Sequence, residues 1–364
     1  MASTAVTAPA SAEELAAALA ESPAPVRVRG AGTKLGWALP GAAPASELAT
    51  TGLDRIVEHN AGDLTAVVQA GVPLARAQAA FAKEGQMLAL DPPDAGATVG
   101  GVVASGDSGP LRARYGGVRD LVVGMRVALA DGTLARSGGK VIKNVAGYDL
   151  AKLFAGSLGR LGAVVEVSVR LHPLPPATST ALGASRDPDA LGAAALALSH
   201  APLEQLGLDA RWAGGEGAVL ARFGGSEARP QADAAERLLR EAGCRTEIVD
   251  DDEPLWRAQR DGQRSGAGVA LRVSALQTDL PSLVRVAERR GAELVGRAGL
   301  GLFWLRLDQG DLGGLVHELR ASHPVRVLDR PSDLEVEPES PLEPGTAALM
   351  RRVKDRFDPE GRLP

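Results

Sequence analysis

Ala97-Thr98-Val99-Gly100-Gly101-Val102-Val103-Ala104-Ser105-Gly106-Asp107-Ser108-Gly109, entered through Asp91-Pro92-Pro93-Asp94, is the stretch on which the reading of this chain turns. Small residues dominate it, and so bare a backbone lets a large planar or phosphorylated ligand approach closely. Thr98, Ser105 and Ser108 add hydroxyl donors with little bulk. A mobile surface loop has a similar composition, but Val99, Val102 and Val103 argue for packing. The tract is expected to be ordered.

Two other tracts flank it. Upstream, the short strand Pro25 to Arg29 feeds Arg29-Gly30-Ala31-Gly32-Thr33-Lys34-Leu35-Gly36. The spacing is GxGxxxG, and Trp37-Ala38-Leu39-Pro40-Gly41 cannot open the helix that a Rossmann pyrophosphate site needs. Neither is it a Walker A loop. What remains is a glycine turn whose successive N–H groups can form a nest for an anion, although alone such a turn is most often just a turn. Downstream, Gly138 to Phe154 holds Lys140, Lys143 and Lys152, half of the six lysines, and continues into Gly156-Ser157-Leu158-Gly159-Arg160-Leu161-Gly162-Ala163-Val164-Val165.

Around these tracts, Ser11 caps a first helix, Leu53 to Ile56 and Leu64 to Val68 read as strands, and Val72 to Glu84 as a helix. Leu121 to Leu129 and Thr133 to Arg136 read as a hairpin closed by a type I′ turn at Asp131-Gly132. Ala163 to Leu171 is a strand. Pro173-Leu174-Pro175-Pro176 marks a domain junction. The expected domains are residues 1–175, 176–344 and a C-terminal helix and tail, 345–364. The second domain alternates helices (190–199, 228–242, 280–290, 312–322) with strands, an α+β pattern with an antiparallel sheet of duplicated ferredoxin-like type. Asp333 to Glu343 reads as an exposed acidic linker.

Composition narrows the function. Of 364 residues, 45% are hydrophobic and 23% charged, ordinary for a chain with a sizeable core. Forty basic against 45 acidic residues leave a net charge of -5, which argues against nucleic acid as a partner. One cysteine, Cys244, allows neither an intrachain disulfide nor an iron–sulfur cluster held by this chain alone. No apolar run reaches the roughly 18 residues of a membrane span, and no signal peptide is read, so a cytoplasmic location is expected. The five histidines show no metal-ligand spacing, and no metal is expected.

Taken together the tracts resemble a family. Thr98-Val99-Gly100-Gly101, Asp107-Ser108-Gly109-Pro110, Arg114-Tyr115-Gly116, Gly138-Gly139-Lys140-Val141-Ile142-Lys143-Asn144-Val145-Ala146-Gly147-Tyr148-Asp149-Leu150 and Leu171-His172-Pro173-Leu174-Pro175 look like the PCMH-type FAD-binding domain of the vanillyl-alcohol-oxidase superfamily. The similarity runs from about Ser11 to Pro173 and is greatest to the E-subunit family of bacterial glycolate oxidase (glycolate dehydrogenase). The resemblance implies an α+β fold, with a PCMH-type FAD domain of two α+β subdomains and a smaller α+β cap. It implies FAD, with the pyrophosphate on Arg29, Gly30, Ala31, Gly32, Thr33 and Lys34. It places the flavin and the pyrophosphate against a loop from Pro93 to Gly109, at Pro93, Thr98, Gly100, Gly101, Ala104, Ser105, Asp107, Ser108 and Gly109. It adds contacts to the ring or the adenine at Gly162, Val164 and Val165, and it returns the 345–364 tail to this domain. Thr33 and Lys34 stand where some relatives carry a histidine bonded to the cofactor, so noncovalent FAD is expected.

The same resemblance implies partners: a larger catalytic flavoprotein (D) subunit and an iron–sulfur (F) subunit, acting together on a small 2-hydroxy acid, with attachment to the inner membrane only through them. In that assembly the chain relays electrons from glycolate oxidation. A self-sufficient FAD-dependent D-lactate or glycolate dehydrogenase and a scaffold with a decayed FAD site are the alternatives. Binding a hydroxy-acid carboxylate needs a cation. Arg112, Arg114 and Arg119 are the candidates, and Arg264 and Arg272 carry no stronger signal. No catalytic residue is assigned.

Overall fold

The computed structural model describes residues 6–37, 43–93, 96–139 and 149–364. Lys140 to Tyr148, most of the third tract, lies outside the described residues, as does Asp94.

The N-terminal half is organised by a five-stranded antiparallel sheet in the order Ile56–Asn60, Thr65–Gln69, Ala163–Arg170, Val122–Ala128, Leu134–Gly138. Buried apolar residues of the middle strands face two cores, and the side they face changes at the register shift opposite Arg126 and Val127. Val167 and Val169 pack with Phe81, Val99 and Val102, whereas Ala163 and Val165 pack with Leu15 and Leu19 of the helix Ala12–Glu21. A three-stranded parallel sheet, Val6–Thr7, Ser46–Ala49 and Val26–Arg29, lies beside it and delivers the chain to the glycine turn at residue 30.

The C-terminal half is one eight-stranded antiparallel sheet, ordered Arg245–Val249, Thr178–Ser185, Glu216–Gly224, Gly207–Ala213, Glu293–Arg297, Leu302–Leu307, Val269–Ser274, Val325–Asp329. It consists of two βαββαβ units of ferredoxin-like order, joined where Gly207–Ala213 pairs with Glu293–Arg297. Four helices, Pro188–His200, Ala228–Glu241, Leu280–Arg290 and Leu312–Arg320, bury one face of this sheet around Trp212, Phe223, Leu271 and Phe303. The opposite face turns toward the N-terminal half, where Ala270, Trp304 and Leu328 pack on Trp37 and Leu158.

Several local expectations are corrected. Val99–Ser105 is a helix rather than loop: the Thr98 side chain accepts from Gly101 N–H, and Gly106 ends the helix in the left-handed region. Its glycines hide it from propensity arguments, but they let it sit on the end of the Thr65–Gln69 strand. The 122–138 hairpin turns through three residues, with Gly132 N–H on the Leu129 carbonyl (3.0 Å) and Gly132 at φ +84°. Asp131 keeps a negative φ, so the turn is not type I′. The early strand runs over Ile56–Asn60 and begins three residues later than the expected Leu53, which is buried in the core. Strands Thr178–Ser185 and Arg245–Val249 were not foreseen, although they complete the first unit. The acidic stretch is no free linker. It straps the last strand through Val327 N–H to the Pro338 carbonyl (2.6 Å) and Ser340 N–H to the Val325 carbonyl (2.9 Å), covering an open sheet edge.

The chain ends on the N-terminal half. After the helix Pro344–Phe357, whose Phe357 ring stands edge-on to Phe154 at 5.4 Å, Asp358 accepts from the N–H groups of Arg362 and Leu363 (2.8 Å each). Val26 N–H then donates to the Arg362 carbonyl (2.7 Å), and Leu363 is buried beside Leu15 and Leu19.

Candidate functional site

One groove collects most of the residues singled out in the sequence. Arg29, Gly30, Ala31, Gly32, Thr33 and Lys34 form one wall, Thr98, Gly100, Gly101, Ala104 and Ser105 the floor, and Leu158, Gly159, Gly162 and Val164 the other wall. The turn and the short helix touch: a Cβ built on Gly30 would lie 2.2 Å from Thr98 Oγ1. Gly100 is pressed as closely on Ala70, whose carbonyl accepts its N–H at 2.8 Å. Glycine is required at both positions by contact, independently of any φ. The wall at Leu158 exists because that residue takes φ +57° and its N–H reaches the Ala104 carbonyl (2.7 Å).

Pro93, Asp107, Ser108, Gly109 and Val165 do not line the groove. Val165 points to the opposite face of its strand, into the core. Pro93 is buried, and Gly109 packs on the Asp91 backbone, where a Cβ would meet the carbonyl at 1.7 Å. Asp107 and Ser108 stand behind the floor. Asp107 is ion-paired with Lys34 (3.3 Å), both side chains being under 10% exposed. Burial raises the Asp107 carboxyl above its ordinary range, against the pull of Lys34.

A wall of main chain and small side chains, with one buried lysine, is the surface expected around a large phosphorylated cofactor. The sequence of residues 3–138 matches the family described as FAD binding domain. That match spans the turn at 29–34 and the groove floor at 98–105. Among curated proteins this chain is similar to glycolate oxidase subunit GlcE of Escherichia coli (strain K12), 45% identical over 34% of its length and 36% of that protein. Glycolate oxidase subunit GlcD of Bacillus subtilis is 36% identical over 51% of this chain and 40% of that one. D-lactate dehydrogenase of Archaeoglobus fulgidus is 35% identical over 45% and 38%. The matches thus span little more than a third of these relatives' lengths. Alkyldihydroxyacetonephosphate synthase superposes over 98% of this chain and 75% of its own with a TM-score of 0.71 at 14% identity, which shows a shared fold. The groove fits FAD: it is lined by glycines and other small residues on two main-chain turns, with Lys34 buried behind one wall, so a large phosphorylated group can lie close to the backbone.

Beyond the FAD binding domain, the inward face of the large sheet adds charge. Arg272 stands directly across from Arg326 on the neighbouring strand and from Trp304 on the other side. Like charges in such a position repel. Arg272 Nε is buried without a hydrogen-bond partner. Burial, then Arg326 and Arg112, lower its pKa to about 10, while Asp107 and Glu339 oppose the shift. Arg326 itself is paired with Glu339 (3.2 Å), and Arg112 reaches Ser108 Oγ (3.4 Å). Of the sequence candidates, Arg114 instead pairs with Glu204 at the surface (3.0 Å), and Arg119 is exposed. Arg272 carried no stronger claim in the sequence than the other arginines because its signal, a cation facing another cation, exists only after strand pairing.

A second charged cluster joins the halves. Asp91 accepts from Leu111 N–H (3.1 Å) and lies within electrostatic reach of Arg297, Arg260 and Asp209. Arg297 and Asp209 are both fully buried at 3.4 Å, Gln259 donates to Asp209 (3.1 Å), and the Arg297 guanidinium lies 4.5 Å from the Trp304 ring centre. Desolvation raises the carboxyls to about 7 for Asp91 and about 6 for Asp209. The histidines stand apart: His59 bonds Gln86 (3.0 Å), His172 packs on Tyr115, and His323 faces Asp279 (3.5 Å). No cluster of potential metal ligands and no helix long and apolar enough to cross a membrane occurs among the described residues.

Proposed function

We propose that this chain is the FAD-binding subunit of a glycolate oxidase or dehydrogenase type complex, supporting oxidation of a small 2-hydroxy acid and passing electrons to partner subunits. The observation that carries this reading is the meeting of the bare-backbone groove with the arginine face of the sheet. One accommodates a phosphorylated cofactor held noncovalently; the other offers a buried positive seat for a carboxylate. Bound in the groove, FAD supplies the two-electron acceptor.

The residues divide the work. Backbone N–H groups of the 29–34 turn take the phosphate charge, the small residues from Gly100 to Ser105 admit the ring system, and Trp37, Trp304 and Leu158 exclude water from its edge. Arg272, with Arg112 beside it, orients the carboxylate and so presents the adjacent carbon to the cofactor. None of the histidines just placed stands with Arg272, so the reading gives the proton acceptor, like the iron–sulfur subunit, to the partners. Similarity to glycolate oxidase subunits in two bacteria supports the subunit role.

The specific observation favouring the second reading, a self-sufficient dehydrogenase, is that same seat at Arg272. Anaerobic addition of glycolate or D-lactate to the FAD-loaded chain separates them. We expect a yellow protein that bleaches only when the partner subunits are present. Bleaching by the chain alone establishes the second reading, and a protein that stays colourless with added FAD sinks both.

Replacing Arg272 by methionine tests the seat. Oxalate, a carboxylate that cannot be oxidised at an adjacent carbon, should perturb the flavin spectrum of the parent, and the variant should bind it about 10- to 100-fold more weakly, the range for one hydrogen bond between charged groups. FAD content should not change. Equal oxalate affinity in both proteins would remove Arg272 from the site.

A further inference from the structure

The cofactor turn does not stand by itself. Arg264, which precedes the Val269–Ser274 strand of the large sheet, reaches across and donates from Nη2 to the Thr33 carbonyl at 3.2 Å. Its aim is set by three constraints. Nε and Nη2 fork onto the two oxygens of Asp329 at 2.7 Å each, Asp329 is fixed in turn by Ser265 N–H (3.0 Å), and the guanidinium lies 5.3 Å from the centre of the Trp37 ring. The far end of the same turn is gripped by Arg326, which donates to the Trp37 carbonyl (3.4 Å).

We infer that Arg264 is a positioning residue for the cofactor's pyrophosphate, acting through the Thr33–Lys34 peptide; the inference rests on the FAD reading above. In a planar trans peptide the C=O and the following N–H point in opposite directions. Holding the Thr33 carbonyl toward Arg264 therefore holds the Lys34 N–H away from it, on the side where Thr33 and Lys34 line the groove. A cation on the carbonyl also polarises the peptide and strengthens that N–H as a donor. The glycines at 30 and 32 leave this turn conformationally free, and ordering it would otherwise be charged to the binding of the phosphates.

A consequence follows for the two halves of the molecule. The clamp comes from the large sheet and the amides from the FAD binding domain, so cofactor affinity and the seating of the sheet on the turn are linked. Whatever the clamp adds to FAD affinity, FAD returns to the contact between the halves.

The test uses the full chain, stripped of flavin and titrated with FAD. Arg264→Met should raise the FAD dissociation constant about tenfold. At saturating FAD, the ³¹P resonances of the bound pyrophosphate should shift from their parent positions while the visible flavin bands stay in place. Arg264→Lys, which can hold Asp329 or the Thr33 carbonyl but not both, should fall between the two. If Arg264→Met does not fold, the lysine variant carries the test through its ³¹P shift. An unchanged dissociation constant overturns the inference, as does weaker binding with unmoved ³¹P signals and displaced visible bands, since a general loosening would produce the latter. Failure of the parent itself to take up FAD overturns the proposed function as well. Parent and variants binding FAD alike overturn the role of Arg264 alone.

Discussion

Gly100→Val is expected to lower the stability of the FAD binding domain by about 3 kcal/mol and to strip most of its flavin. The Cβ alone would lie 2.5 Å from Ala70 Cβ and 2.9 Å from the Ala70 Cα and carbonyl oxygen. Two of those three atoms are backbone, at the end of a central strand, and cannot swing aside. The strand and the Val99–Ser105 helix are also tied by Gly100 N–H to the Ala70 carbonyl and Val99 N–H to the Val72 carbonyl, 2.8 Å each. Any relief of the clash stretches these bonds and moves the groove floor. Denaturant midpoints and the ratio of flavin to protein absorbance measure both effects. Gly62→Ala is the control: nothing lies within 4 Å of a Cβ there, and its effect should stay within about 0.5 kcal/mol. A Gly100→Val protein with parental flavin content would show that the floor is not where the cofactor rests.

The second large effect concerns pH. Asp91 is partly buried and its carboxyl raised from 3.8 to about 7, chiefly by desolvation, with Arg297 and Arg260 opposing. The folded state therefore holds this proton more tightly than the unfolded chain. Between those two values the folded state binds more protons, so stability falls as pH rises through the interval and levels off above it. Asp209, raised to about 6, adds in the same direction. Asp91→Asn keeps an acceptor for Leu111 N–H without the charge. It should gain on the order of 2 kcal/mol over the parent at pH 8, and the advantage should fade toward pH 4. Urea unfolding at several pH values checks this. A variant whose advantage is the same at every pH would show that Asp91 is not the titrating group.

Much of the groove was legible because backbone-lined sites leave a compositional trace. In the runs at 29–34 and 97–109 the glycines and hydroxyl residues sit beside a few packed valines, a composition that leaves main chain bare on one side, and a ligand is one reason for it. The first-half strands were readable from alternation, as in Ala163–Arg170. The helix at 99–105 was not, since its glycines argue against helix locally and only the packing on Ala70 explains them. The strands at 178–185 and 245–249 escaped for a related reason. Thr178–Ser185 carries Ser, Thr, Ala and Gly, with its hydroxyls at 178 and 180 turned to the buried carboxylate of Asp252, a partner 72 or more residues away.

Residue type and short spacing by themselves pointed to a bare main chain open to a large planar or phosphorylated ligand, to a helix-and-strand half of duplicated pattern, and to too few cysteines for a cluster held by this chain alone. The likeness of the longer tracts to a family supplied FAD. Tertiary structure alone decided what surrounds the groove: Arg272 opposite Arg326, Asp91 within electrostatic reach of Arg297, and Arg264 on the Thr33 carbonyl, 231 residues apart in sequence. Such groups acquire their chemistry from charges and burial brought together by strand pairing, and no local pattern along the chain records that.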